Sequence, residues 1–130
     1  MDVSFNWLAI ALAALSSFVI GGLWYSVLFA RPWQRAAGVT DAQLAHGTAR
    51  VFIGSAILAV VMAISLAAFI GSNGPGFGVF AGFATGATFV AAAFGVNYLF
   101  ERRSPLLFAI NGSYNVVSFT VMGAIIGLMQ

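Results

Sequence analysis

Four long stretches without a charged side chain divide this chain, and every basic residue falls in two of the three connections between them. The stretches cover about 5–29, 51–70, 77–100 and 105–129. A bilayer's hydrocarbon core of roughly 30 Å takes about 20 helical residues to cross. Backbone polar groups find no water there, so each stretch must satisfy its own hydrogen bonds as a helix. The expected fold is all-α: one transmembrane domain over residues 1–130, an integral membrane four-helix bundle. Composition agrees, because 62% of the residues are hydrophobic and 6% are charged. A soluble domain carries about 25% charged residues, so lipid must cover much of this surface.

Arg31, Arg35 and Arg50 lie in the first connection, and Arg102 and Arg103 in the third. Arginine-rich short connections stay in the cytoplasm, which puts both termini on the non-cytoplasmic side. Trp7 then marks the outer boundary, and Trp24, Tyr25, Trp33 and Tyr98 the inner one, where amphipathic rings prefer to sit. The basic residues are accounted for by orientation and by anionic lipid, and no nucleic acid is expected. The start Met1-Asp2-Val3-Ser4 lacks the basic region of a signal peptide, so the first stretch reads as a retained helix.

The connection 31–50 is the long one. Thr40-Asp41-Ala42-Gln43 reads as a capping box opening a short helix at the membrane surface. It serves as an interfacial linker or, on a sharper reading, a gate or docking segment. His46 stands alone there, and one histidine cannot build a metal site. With no cysteine either, no metal, disulfide or thiolate chemistry is expected. Gly74-Pro75-Gly76-Phe77-Gly78 is not followed by a phosphate-binding pattern, and no enzyme motif emerges. The chain is read as non-enzymatic and without a cofactor.

Helices in lipid approach one another through small residues. Gly78, Gly82 and Gly86 repeat at four-residue spacing in the third stretch, as a glycine zipper does. The first stretch has Ser17 and Gly21 in such a row, the second Ala59, Ala63 and Ala67, and the fourth Gly123 and Gly127. These rows join helices within one bundle, or one of them joins copies or a larger partner. The turn at 71–76 should make the second and third helices antiparallel neighbours.

Polar groups in hydrocarbon are costly and face inward. Asn111, Asn115 and Ser118 share one face of the fourth helix. The orientation places Trp24, Tyr25, Asn97, Asn111, Tyr114 and Asn115 together in the cytoplasmic half of the bilayer. They form either hydrogen-bonded joints between helices or a small polar pocket. Amides do not titrate and phenols do so near pH 10, so a proton relay is not expected. Glu101 should pair with a neighbouring arginine.

Gly21-Gly22-Leu23-Trp24-Tyr25-Ser26-Val27-Leu28-Phe29, followed by Trp33, resembles the first helix of a bacterial membrane family called domain of unknown function 1761. Ile110-Asn111-Gly112-Ser113-Tyr114-Asn115 is similar to its last helix. The resemblance implies four membrane helices, with Asp and His often standing where this chain has Asn111 and Asn115. Two other four-helix groups differ. Small multidrug transporters need a glutamate in the first helix, which this chain lacks. Fluoride channels use Asn and Phe along a dimer pore, but their basic and glycine motif is missing. The expectation is a structural or accessory protein of a bacterial inner membrane, packing with itself as a homo-oligomer or with a larger complex. The alternative is a small oligomeric channel or transporter for a neutral or anionic solute.

Overall fold

The computed structural model describes residues 4–130. Met1 to Val3, part of the segment that suggests a retained first helix, lie outside the described residues. Six helices follow one another: α1 (Trp7–Leu28), α2 (Ala30–Ala37), α3 (Asp41–Leu44), α4 (Thr48–Ile70), α5 (Gly74–Phe100) and α6 (Pro105–Met129). No strand is present among the described residues. The four long helices, α1, α4, α5 and α6, are each long and apolar enough to cross a membrane.

Local chemistry sets their ends. Asn6 caps α1, its side chain accepting from the Ala9 N–H at 3.1 Å. Ser104 does the same for α6 through the Leu107 N–H, with Pro105 in the first turn where no N–H is needed. Thr40 and Gln43 form the reciprocal capping box that opens α3. Three boundaries differ from the sequence expectation. Helix α1 starts at Trp7, after its Asn6 cap, rather than at about 5. Helix α4 starts at Thr48 rather than about 51, so Arg50 stands in its first turn. Helix α5 starts at Gly74 rather than about 77, because Pro75 suits an opening turn as well as it suits a loop.

The turn between α4 and α5 does not make them full-length neighbours. Helix α5 packs along α6, which is the central helix and touches all the other long ones. Beside their turn α4 and α5 meet; further along, a groove of about 400 Å³ opens between them. Its walls are apolar, with Met62, Leu66 and Phe69 on one side, Phe77, Phe80 and Phe89 on the other, and Phe119 of α6 also lining it.

Backbone contact explains the preference of α5 for α6. A Cβ built on Gly78 would land on the carbonyl oxygen of Gly123, and one built on Gly123 on that of Gly78. At Gly82 it would meet the Phe119 carbonyl, and at Gly127 the Gly74 carbonyl at 2.6 Å. The hydrogens in those places point at carbonyl oxygens instead, contacts worth about 0.5–1 kcal/mol each. The buried core joins α1 (Ile10, Ala13, Ala14), α4 (Ala59, Ala63, Leu66, Ala67, Ile70), α5 (Ala81) and α6 (Phe119, Met122, Ile126). It runs from mid-span toward the end of the bundle that carries the termini. Gln130 closes that end: its amide donates to the carbonyls of Ala67 and Gly71, while its oxygen accepts from the Asn6 N–H. Asn6 in turn donates to the Met129 carbonyl, so helix-terminal carbonyls that lipid could not satisfy find partners.

Candidate functional site

The other half of the bundle, at the arginine end, is held by aromatic and amide groups beside the buried Ala91, Leu107 and Ile110. Two local distortions position them. Residues Leu23–Leu28 of α1 and Thr85–Val90 of α5 form wide, π-helical turns within otherwise α-helical spans. Such turns are rare and gather at functional sites. The one in α1 carries Trp24 and Tyr25 and ends at Phe29, where the chain breaks direction into α2.

Asn111 is the hub. The Tyr25 hydroxyl donates to its Oδ1 at 2.6 Å, and its own Nδ2 donates to the Tyr98 hydroxyl at 2.7 Å. One amide thus bridges α1, α5 and α6. One residue earlier on α6, the Ile110 carbonyl accepts from Trp24 Nε1 at 3.0 Å. A turn later, the Tyr114 hydroxyl donates to the Ser17 carbonyl of α1 at 2.9 Å. The rings pack edge-on around these bonds: Tyr25 lies 5.2 Å from Tyr114 and 5.4 Å from Trp33 between centroids. Trp33 therefore pins α2 to the end of the bundle. Among the described residues, every fully buried side-chain polar atom has a partner.

The structure brings together four of the six residues expected from depth alone: Trp24, Tyr25, Asn111 and Tyr114. Asn115 stays on the same helix face, but its amide donates back to the Asn111 carbonyl at 2.8 Å and joins no other helix. Asn97 departs from the expectation: it is exposed and outside the cluster. Depth sets the level of a residue and not its direction around the helix. The face of α5 that meets α6 runs through Ala91 and Gly95 to Tyr98, and Asn97 points about 100° away from Tyr98. Tyr98 takes the place given to Asn97. Its position three residues after Gly95, on the small-residue face, is the signal that would have found it. Ser17 and Gly21 serve the cluster as well as packing: the Ser17 carbonyl receives Tyr114, and a Cβ on Gly21 would sit 3.2 Å from the Tyr114 oxygen.

Beyond the cluster, the two arginine-bearing connections touch. Arg103 donates to the Ala37 carbonyl at 3.3 Å and pairs with Glu101 at 3.4 Å. The pair is exposed and adds little to stability. Arg102 adopts a left-handed conformation, φ 58°, and the Arg102 and Arg103 N–H groups close the end of α5 onto the Leu99 and Tyr98 carbonyls. His46 is exposed.

Asn111→Leu should therefore cost about 1–2 kcal/mol of stability, because the Tyr25 and Tyr98 hydroxyls lose their shared partner. Asn97→Leu should cost nothing measurable. Thermal melts of the two variants in one detergent give the comparison; equal losses would contradict the role of Asn111 as hub.

A family model described as "Protein of unknown function (DUF1761)" matches residues 8–127. It is the family that the Trp24-Tyr25 segment and the last helix resemble. No curated protein and no solved structure matches the chain.

Proposed function

The chain belongs to the DUF1761 family of proteins of unknown function, and from that premise we propose a non-enzymatic structural or accessory role in a bacterial inner membrane. The arginine-bearing connections face the cytoplasm and both termini lie outside, following the distribution of positive charge. The carrying observation is the pairing of the membrane polar groups: Asn111 is engaged by Tyr25 and Tyr98, and Tyr114 by Ser17. Side chains that bind one another so fully join helices instead of presenting a solute site. A channel through a bundle this small would need further copies to complete it, and the glycine face best suited to a close copy is already against α6.

What the fold leaves for a partner is the outward apolar surface. The first half of α4 turns a broad apolar face outward, with Val51, Phe52, Ile53, Ile57 and Leu58 all exposed. In the accessory reading, another membrane subunit or a second copy covers part of it. Extraction in mild detergent, affinity purification and mass spectrometry provide the test. A partner, or a second copy, should be recovered at fixed stoichiometry. Recovery as a lone monomer at every detergent concentration would sink the role. Solute flux in reconstituted vesicles, abolished by Asn111→Leu with the fold retained, would favour a transporter instead.

A further inference from the structure

Helix α2 has two unlike sides. Trp33 faces the bundle through Tyr25. At 100° per residue, Arg31 and Arg35 stand within about 40° of each other on the opposite side, and both are exposed. Between them and the turn that follows lies a hollow lined by Arg31, Gln34, Arg35, Gly38, Thr40 and Asp41. Its far wall is held in place: Gly38 ends α2 at φ 73°, and Gln34 Nε2 donates to both the Val39 carbonyl and Asp41 Oδ1. The Asp41 carboxylate on the rim is opposed by two guanidinium groups, neither of which forms an ion pair among the described residues. Helix α2 is tied to the bundle where Trp33 packs on Tyr25 and Arg103 donates to the Ala37 carbonyl.

We propose that this Arg31–Arg35 hollow binds the phosphate of an anionic phospholipid. Arg31 stands three residues past Leu28, the end of the first span. The headgroup layer extends roughly 5–8 Å beyond the hydrocarbon, so Arg31 lies at the level where lipid phosphates are held at high local concentration, with Arg35 on the same face of α2. Arginine's planar fork suits a phosphate better than an ammonium does. A soluble phosphate has the same chemistry but no such placement. The inference rests on the four spans crossing a bilayer and is independent of the accessory role.

The test uses the purified full chain in bilayer discs of phosphatidylcholine with a minor fraction of phosphatidylglycerol. Native mass spectrometry reads which lipid stays bound. The wild-type chain should retain phosphatidylglycerol well above its share of the disc. A basic residue near an anionic surface is worth about fivefold in binding, so the double variant R31Q/R35Q should lose at least that enrichment. The charge-matched variant R50Q/R102Q should keep most of it. Equal melting of both variants in pure phosphatidylcholine discs shows that the fold is intact. Equal losses in the two variants would reduce the effect to net charge and overturn the site. Undiminished enrichment in R31Q/R35Q would overturn it as well. Inorganic phosphate displacing the lipid at millimolar concentration would assign the hollow to a soluble anion and overturn the lipid. None of these outcomes bears on whether a protein partner co-purifies.

Discussion

Gly82→Leu is expected to leave little or no folded protein. The added Cβ would lie on the Phe119 carbonyl oxygen, 2.9 Å from its carbon and 3.1 Å from the Thr120 Cα. Those are backbone atoms of a helix in mid-span, so no side chain can rotate out of the way. Helix α5 must back off from α6, and it cannot do so at one residue alone. Gly78 against Gly123, Gly86 against Asn115 and Gly127 against Gly74 share the same closely packed face. Overpacking typically costs 1–3 kcal/mol; because the whole glycine face is pried from α6 at once, the total should exceed about 3 kcal/mol. The matched control is Gly54→Leu, in α4, where a Cβ meets nothing within 4 Å. Size-exclusion profiles and thermal midpoints of the two variants in the same detergent decide the matter. Equal behaviour would mean that α5 and α6 do not touch backbone to backbone.

That asymmetry among glycines was only partly legible. The four-residue repeat marks Gly78, Gly82 and Gly86 as a face for close approach. It does not name the partner, because a small-residue face is complementary to any other. The four spans themselves were plain, since hydropathy over about 20 residues depends on no neighbour. So was the capping box at Thr40, a local hydrogen-bond pattern within four residues. The arginine-end cluster was legible in depth but not in azimuth, which is why Trp24, Tyr25, Asn111 and Tyr114 meet while Asn97 points away. The Gln130 and Asn6 bridge was out of reach for a different reason: it joins residues more than a hundred positions apart through groups that look unremarkable in the sequence. Where α4 leans was equally hidden, because its outward and inward faces are both apolar.

The wide turn in α5 leads to a prediction in the opposite direction, that removing a residue from a membrane helix leaves it intact. Gly78, Gly82 and Gly86 are spaced by four. The next small residues at the α6 surface are Ala91, near Gly112, and Gly95, against the Phe108 ring. The step from Gly86 to Ala91 is five, and in a regular helix it would turn the face by about 140°. The wide turn over Thr85–Val90 sits at that step and absorbs the additional residue. Thr88 marks the spot, its hydroxyl donating to the Ala84 carbonyl at 2.5 Å. Deleting Thr88 makes every step four, lets the Phe89 N–H take the Ala84 carbonyl in an ordinary α-helical bond, and keeps Ala91, Gly95 and Tyr98 facing α6. The deletion should melt within about 1 kcal/mol of wild type, the range of a single hydrogen bond. Deleting Phe80 has no such outlet. If the wide turn relaxes, Phe83 arrives where Gly82 meets the Phe119 carbonyl; if it persists, Phe77 arrives where Gly78 meets Gly123. That variant should fail as Gly82→Leu does. Thermal melts of the two deletions, run beside wild type, distinguish a register-correcting turn from a passive irregularity, for which the Thr88 deletion would be as damaging as that of Phe80.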